Sequence, residues 1–486
     1  MNKTLRTKLI LASAVAVVTF IVFLPSLQNN FINWDDDKYI YKNPLIRSLD
    51  IQLLKSAFSE FHADNYHPLT WLSHAFDYAI WGLNPLGHHL TNNILHALNT
   101  FLVVSLAMKL VEVSKKSLEK NDLSQTSLNN RAVRITGVVT GLLFGLHPQH
   151  VETVAWVTDR KELLCAFFFL LTIYTYISYV SEINAGASAN SVSRFFNKKY
   201  IFAIGFFILS LLSKPMAVSL PFVLLILDWY LFRRIRSLKT FLAAFIEKLP
   251  FIILSLMSSI LTILAQKAGG AMDLMQLVPL PERLLVAVRS LVAYLGKMIL
   301  PLNLVPIYPY PESASFFSLE YILPVVIVIA ITATCVAVIR KTKLWVSVWS
   351  YYVIMLIPVL GIVQVGGQSM ADRFTYLPSL APFLIVGLLA AKGYEKVSAL
   401  KRWRVTLKMT CFFIAMTIFT SLSYATIRQI AIWKNSIVFW NYVLAKEPTR
   451  IPQAYFNLGH AYLDDGQFDL GIEQYRTAIR LMKSRQ

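Results

Sequence analysis

Charge is what this chain has least of. Only 15% of its 486 residues are Asp, Glu, Lys or Arg, where a soluble globular domain carries about a quarter. That scarcity excludes an ordinary soluble protein. Acids are the rarer sign, 27 against 46 Lys and Arg, for a net charge of +19. The basic clusters alternate with apolar runs, so the positive-inside pattern explains them and no nucleic-acid partner is expected. Cysteine is nearly absent as well: Cys165, Cys335 and Cys411 all fall in apolar runs, with neither metal nor disulfide spacing, and receive no role. The chain has no Walker loop, dinucleotide fingerprint, nucleophile elbow or zinc motif.

Apolar residues are what it has in abundance, 56% of the chain at a mean hydropathy of +0.54. Repeated runs long enough to cross a bilayer make it an all-α, polytopic helical membrane protein. The pattern predicts eleven spans: 9–27, 89–111, 135–148, 163–180, 200–213, 216–232, 245–265, 321–339, 344–363, 376–391 and 405–424. The first reads as an uncleaved signal anchor, since no small-x-small cleavage site precedes the acidic loop. Basic clusters at 115–134, 194–199, 233–236, 340–343 and 392–404, which include Lys120, Arg194, Lys401 and Arg402, mark the inner side. Residues 281–304 carry Glu282, Arg283, Arg289 and Lys297. Spanning there would place charge in lipid and invert the later topology, so an interfacial or re-entrant helix is expected. The N-terminus is then cytoplasmic and the C-terminus outside. Residues 1–425 form the membrane domain, with outer loops 28–88 and 147–162, and residues 426–486 form a tail.

The tail is polar and helical. Ala454-Tyr455-Phe456-Asn457-Leu458-Gly459, followed by Gly466, Phe468, Ile472, Tyr475 and Ala478, matches one tetratricopeptide repeat at 452–482. Gly459 belongs at the close contact between the two helices and Gly466 at the turn, with Gly471 where Ala is usual. Trp433, Trp440 and Pro448 read as a degenerate preceding half-repeat. A single repeat must dock on the membrane domain, dimerise or serve as a small platform for a protein partner.

The chemistry-bearing residues gather in the outer loops. Trp34-Asp35-Asp36-Asp37 sets three carboxylates side by side, and like charges raise one another's pKa. Asp35 or Asp36 could act as a general base, or the pair could hold a divalent metal; a solvated acidic turn is the plain alternative. Trp34, Tyr39 and Tyr41 interleave the acids with aromatics, as sugar-binding sites often do. His67, His88, His89 and His96 follow. Adjacent His88 and His89 make a poor metal pair on a helix, and interfacial hydrogen bonding accounts for them. The second outer loop holds His147, His150, Glu152, Asp159, Arg160, Lys161 and Glu162. Arg160 and Lys161 could bind a phosphate, unless Asp159 to Glu162 form a self-neutralising cluster. Lys214 is a snorkelling anchor or a contact to a lipid phosphate. Arg373 runs against the inside bias of cations and should have a dedicated partner.

Several of these motifs together resemble bacterial relatives of the transmembrane and tetratricopeptide-repeat O-mannosyltransferases, a GT-C-fold family. The resemblance rests on Phe31-x-x-Trp34-Asp35-Asp36 with Asn43-Pro44, Tyr66-His67-Pro68-Leu69, and Gly87-x-His89-x-x-Asn92-x-x-x-His96. It continues in His147-Pro148-x-His150-x-Glu152 with Arg160, in Lys214, and in Ala371-Asp372-Arg373-x-x-Tyr376-Leu377-Pro378. It implies transfer of a mannose-like hexose, with inversion, from a polyprenyl-phosphate donor to a protein or glycan hydroxyl on the outer face. Asp35 or Asp36 would be the base. Arg160, Lys214 and Arg373 would hold the donor phosphate, with Trp34, His67, His89, His147, His150, Glu152 and Tyr376 in support. No cofactor is required beyond a divalent metal that Asp35 and Asp36 could share. A bacterial inner membrane, with the repeat periplasmic, is the expected location. A non-catalytic assembly scaffold that recruits partners through the repeat is the competing reading, and a transporter of lipid-linked sugar is another.

Overall fold

The first apolar run folds as one helix, α1 (Lys3–Phe23). Two short amphipathic helices then lie in the outer loop, α2 (Ile51–Ser59) and α3 (Pro68–Trp81). Asp50 caps α2 by accepting the Leu53 N–H at 2.8 Å, and Pro68 opens α3 where a missing N–H does no harm. The long α4 (Pro85–Glu119) returns across the molecule. Next come α5 (Asn130–Leu146), the single turn α6 (Val151–Ala155) and α7 (Arg160–Asn184). The central part continues with α8 (Lys198–Ser213), α9 (Leu220–Tyr230), α10 (Leu238–Ala268) and α11 (Leu280–Ile299). The remaining membrane-domain helices are α12 (Leu319–Ala337), α13 (Leu344–Leu356), α14 (Leu380–Ala399) and α15 (Arg404–Ile430). The computed structural model describes residues 3–119, 129–184, 196–270, 278–311, 314–362, 367–400 and 403–484. The basic positions Lys120, Arg194, Lys401 and Arg402 lie outside them.

The chain is a multi-pass membrane protein, helical over most of each of the eleven expected spans. Among the described residues, six helices are long and apolar enough to cross a bilayer alone, with two shorter apolar ones at Pro215–Tyr230 and Leu344–Val359. The segment 281–304 forms the amphipathic α11, outside that set of six. Its Leu285, Val286, Leu291 and Tyr294 are buried, while Arg289 turns outward to meet Glu320 at 2.7 Å.

The 17-residue α5 is short for a span, and glycine explains its tight seat. Gly137, Gly141 and Gly145 recur every four residues on one face. A Cβ on them would collide with Met108, Val104 and Thr19, so α5 can pack directly on α4 and α1. An ion pair between Lys8 and Glu112 joins the start of α1 to the end of α4. Lys3, Asn130 and Arg134 line one cleft with that pair, while the acidic loop lies beyond the opposite end of α1.

A buried ionic lock was not foreseen. Arg234, expected only as an inside marker, bonds Asp228 at 3.0 Å and Glu247 at 2.5 Å. Lys248, fully buried, also meets Asp228 and, at 2.9 Å, Glu247. The Tyr176 hydroxyl donates to Asp228 at 2.8 Å. Each charge has a partner of opposite sign, the condition under which such groups survive in an apolar interior.

The tail folds as α16 (Ser436–Lys446), α17 (Pro452–Asp464) and α18 (Phe468–Lys483). The last two form an antiparallel hairpin turned at Gly466, whose φ is +78°. Gly459 and Gly471 face each other so closely that a Cβ on either would lie 3.0 Å from the other's carbonyl oxygen.

Candidate active site

The acidic loop is folded by its own carboxylates. Asp36 is buried, and both of its oxygens are taken. One accepts the Ile32 N–H at 2.8 Å, and the other accepts the Thr158 N–H at 3.1 Å and its hydroxyl at 2.5 Å. It ties the first outer loop to the second. Burial still pushes its pKa up, to about 6, against those hydrogen bonds. Asp35 is only partly buried, and among the described residues its carboxylate has no hydrogen bond or ion pair. Its pKa is also raised, by burial first, while Lys161, Lys38 and Arg373 pull it down in that order.

Around Asp35 the loops bring together Lys161 and Arg373, with Lys214 next to both. The Lys161 ammonium lies 4.6 Å from the Tyr39 ring centre and 5.6 Å from that of Trp156, with the Tyr39 hydroxyl at 3.4 Å. Lys161 has no carboxylate partner within ion-pair distance among the described residues. Lys214 meets Glu162 at 2.6 Å and Asp159 at 3.5 Å. Arg373 pairs with Glu152 through Nη1, and its backbone N–H donates to the same carboxylate at 3.1 Å. The guanidinium carbon sits 5.7 Å from Trp34 and 5.3 Å from Trp156, leaving Nε and Nη2 uncommitted among the described residues. His67 is buried close to Lys161 and Lys214. Desolvation first, then those two charges, hold its pKa well below the usual imidazole value. It faces the cations as a neutral ring.

Arg373 is delivered by a small irregular element. Tyr308–Pro309 pairs antiparallel with Gln368–Met370, and the Tyr308 hydroxyl then donates to Asp372 at 2.9 Å. Burial, with Glu152 nearby, pushes Asp372 up to about 8, so it holds its proton near neutral pH.

The floor of the site is aromatic. Trp34 stacks on Trp156 at 4.4 Å with 8° between planes, and Trp156 on Trp433 at 6.0 Å. Phe439 and Trp440 of α16 close on Trp34 at 5.6 and 6.2 Å. Asn33 stitches the same seam. Its side chain accepts from the Trp440 indole at 2.7 Å and donates to the Asn457 carbonyl at 2.8 Å, and its N–H donates to the Ser436 hydroxyl at 3.0 Å. The tail therefore docks on the acidic loop itself.

No family model matches the chain. Curated proteins do match it over part of its length. Human protein O-mannosyl-transferase TMTC4 is 30% identical over 194 residues, 36% of this chain and 24% of that protein. Human TMTC2 is 30% identical over 172 residues, 35% of this chain and 17% of that protein. The fruit-fly protein O-mannosyl-transferase Tmtc3 is 31% identical over 132 residues, 27% of this chain and 14% of that protein. Over those segments the chain is similar to the TMTC O-mannosyl-transferases. It spans about a quarter or less of the length of these relatives. Among solved structures, ArnT from Cupriavidus metallidurans bound to undecaprenyl phosphate covers 92% of this chain and 79% of its own, at 13% identity and a TM-score of 0.35. A superposition that loose carries no argument.

Several residues expected at the site are placed elsewhere. Arg160 is fully buried, and its guanidinium is spent inside the protein on Asp77 at 2.5 Å, Asn92 at 2.9 Å and the His88 carbonyl at 2.7 Å. It has no face left for a donor phosphate; its neighbour Lys161 has one. Tyr376 is buried and bonded to His96 at 2.7 Å and Asn99 at 3.2 Å. His150 links the Phe144 carbonyl at 2.8 Å to Ser379 at 3.1 Å, and His147 reaches the Met298 carbonyl at 3.1 Å. His89 is buried beside the backbone of Asn29 and Asn30. His147, His150 and Tyr376 fasten loops to helices rather than line the site, and His89 is enclosed in the interior. Asp159 and Glu162 form no ion pair with Arg160 or Lys161 among the described residues; they pair with Lys214.

A divalent metal held by Asp35 and Asp36 does not fit this geometry, because Asp36 already spends both oxygens on N–H and O–H donors. The described residues also contain no cluster of three His, Cys, Asp or Glu side chains able to hold a metal ion.

Proposed function

We propose that the chain is a membrane glycosyltransferase. It would move a mannose-like hexose from a polyprenyl-phosphate donor to a hydroxyl of a protein acceptor, on the face opposite the basic loops. That face would be periplasmic in a bacterial inner membrane, with eleven spans and the hairpin a tetratricopeptide repeat. The reading is carried by one observation: of the acidic-loop carboxylates, Asp35 and Asp37 are without a hydrogen bond or ion pair among the described residues, and Asp35 lies close to Lys161 and Arg373 of the other outer loops.

In the mechanism, Asp35 takes the proton of the acceptor hydroxyl as that oxygen attacks the anomeric carbon. The bond to the lipid phosphate breaks in the same displacement, so the anomeric configuration inverts. Lys161 and the uncommitted N–H groups of Arg373 stabilise the negative charge that grows on the leaving phosphate. Trp34, the partly buried ring of the stack, offers an aromatic surface for the sugar ring, with Trp156 packed behind it. Glu152 positions Arg373, and Lys214 is held by Glu162 and Asp159. The relatives are protein O-mannosyl-transferases, which supports mannose and a protein acceptor.

The test is transfer from radiolabelled polyprenyl-phosphate hexoses in membranes carrying the protein. We expect a mannosyl product of inverted configuration. Absence of transfer from every donor, or a retained configuration, would remove this reading.

Two consequences follow from the geometry. A base with a raised pKa is charged only at higher pH, so kcat/KM should climb through a pKa above the ordinary carboxylate value. Lys161 is the strongest of the charges holding that pKa down, so Lys161→Met should move the acid limb further up in pH while lowering the rate. An unmoved limb would mean that another group sets it. The tail also bears on chemistry through Asn33. Trp440→Phe keeps an aromatic ring but loses the indole donor, and transfer should fall roughly tenfold or more as the loop loses register, at unchanged membrane abundance.

A further inference from the structure

At the basic end of the bundle, away from the candidate site, a groove of about 420 Å³ opens between α1, α5 and α14. Its walls are apolar: Leu11, Ile135, Val138 and Val139. Its rim is cationic. Arg131 and Arg134 stand on the first turns of α5, and Lys408 of α15 sits 4.6 Å from the ring of Tyr394, which also lines the groove. Arg134 spends only its Nε, on the Asn130 carbonyl at 3.0 Å. Its other side lines a polar cleft of about 200 Å³ that contains Lys3.

Neither local acid forms an ion pair with these cations among the described residues. Glu112 is held by Lys8, and Glu395 accepts the Asn129 N–H at 3.3 Å. Among the described residues, none of Lys3, Arg131, Arg134 and Lys408 has a carboxylate partner. An apolar trough rimmed by cations that have no carboxylate partner among the described residues is complementary to one class of molecule. It takes an acyl chain below and an anionic headgroup above.

We propose that this groove binds an anionic phospholipid of the leaflet on the basic side. Its phosphate rests on Arg131 and Arg134, and one acyl chain runs along Leu11, Ile135 and Val138. A zwitterionic lipid fits the trough equally but brings an ammonium group towards the same cations, so the headgroup decides.

The test uses the delipidated full-length protein with phosphatidylglycerol and phosphatidylcholine, bound lipid being counted by native mass spectrometry. The wild type should prefer phosphatidylglycerol by about tenfold or more. Arg131→Ala, Arg134→Ala and Lys408→Ala combined should abolish the preference and leave phosphatidylcholine binding unchanged. Lys392→Ala with Lys396→Ala, which removes two exposed lysines of α14 outside the groove, should keep it. Equal binding of both lipids by the wild type would overturn the proposal. So would an unchanged preference in the triple variant, or its loss in the Lys392/Lys396 control, which would reduce the effect to bulk charge.

Discussion

Asp35→Asn should abolish sugar transfer, by roughly 10²–10⁴-fold, the range a positioned general base supplies, without altering thermal stability. The side chain makes no hydrogen bond or ion pair among the described residues, so the amide breaks nothing. Asp36→Asn should behave in the opposite way. Asn offers one acceptor where the carboxylate offers two, and its NH2 would face either the Ile32 N–H or the Thr158 donors. Leaving such a buried donor unsatisfied costs about 1–3 kcal/mol. We therefore expect a lower unfolding temperature with most of the per-molecule activity kept. Transfer assays beside thermal unfolding in detergent separate the two carboxylates. Loss of activity in Asp36→Asn at full stability, with Asp35→Asn active, would exchange their roles.

The neighbouring cations should divide in the same manner. Arg160→Ala leaves Asp77, itself buried, without its partner. Removing one member of a buried pair costs about 3–5 kcal/mol, a large share of a domain's net stability of about 5–15 kcal/mol. The variant should fail to accumulate in membranes. Lys161→Ala removes a charge that has no carboxylate within ion-pair distance, so the protein should accumulate normally and lose transfer by about a hundredfold. Membrane abundance and activity per molecule, measured for both variants, check this. An abundant but inactive Arg160→Ala protein would return the phosphate contact to Arg160.

Arg160 and Lys161 show where the limit of legibility lies. Both are cations in one short loop, and as a sequence nothing ranks them. A helix separates consecutive side chains by about 100°, so at the first turn of α7 one points into the protein and the other towards the site. The same holds for Asp35 and Asp36. Asp159 and Glu162 were legible as a charged cluster, but Lys214, more than fifty residues on, is their partner. Arg373 was legible as a cation needing a partner, and Glu152 is that partner. His147, His150 and Tyr376 have the chemistry of site residues and the geometry of fasteners, and His89 is enclosed in the interior. The ionic lock was legible only in part: Arg234 reads as an ordinary boundary charge, but Asp228 lies inside the expected span 216–232 and Glu247 and Lys248 inside 245–265, where charge is costly in lipid and calls for partners.

The sequence by itself determined the membrane class, the run of helices, the two-sided distribution of charge and the outer loops as the place for chemistry. These follow from local composition and its period, because apolar length and flanking charge act on each segment separately. The turn at Gly466 and the close contact at Gly459 belong with them, as backbone demands that few residues meet. Only the tertiary structure decided which carboxylate and which cation are spent on the fold and that the tail closes over Trp34. Those outcomes depend on burial and on partners brought together from distant segments, such as Asp36 with Thr158 and Asn33 with Trp440. No stretch of neighbouring residues contains that information.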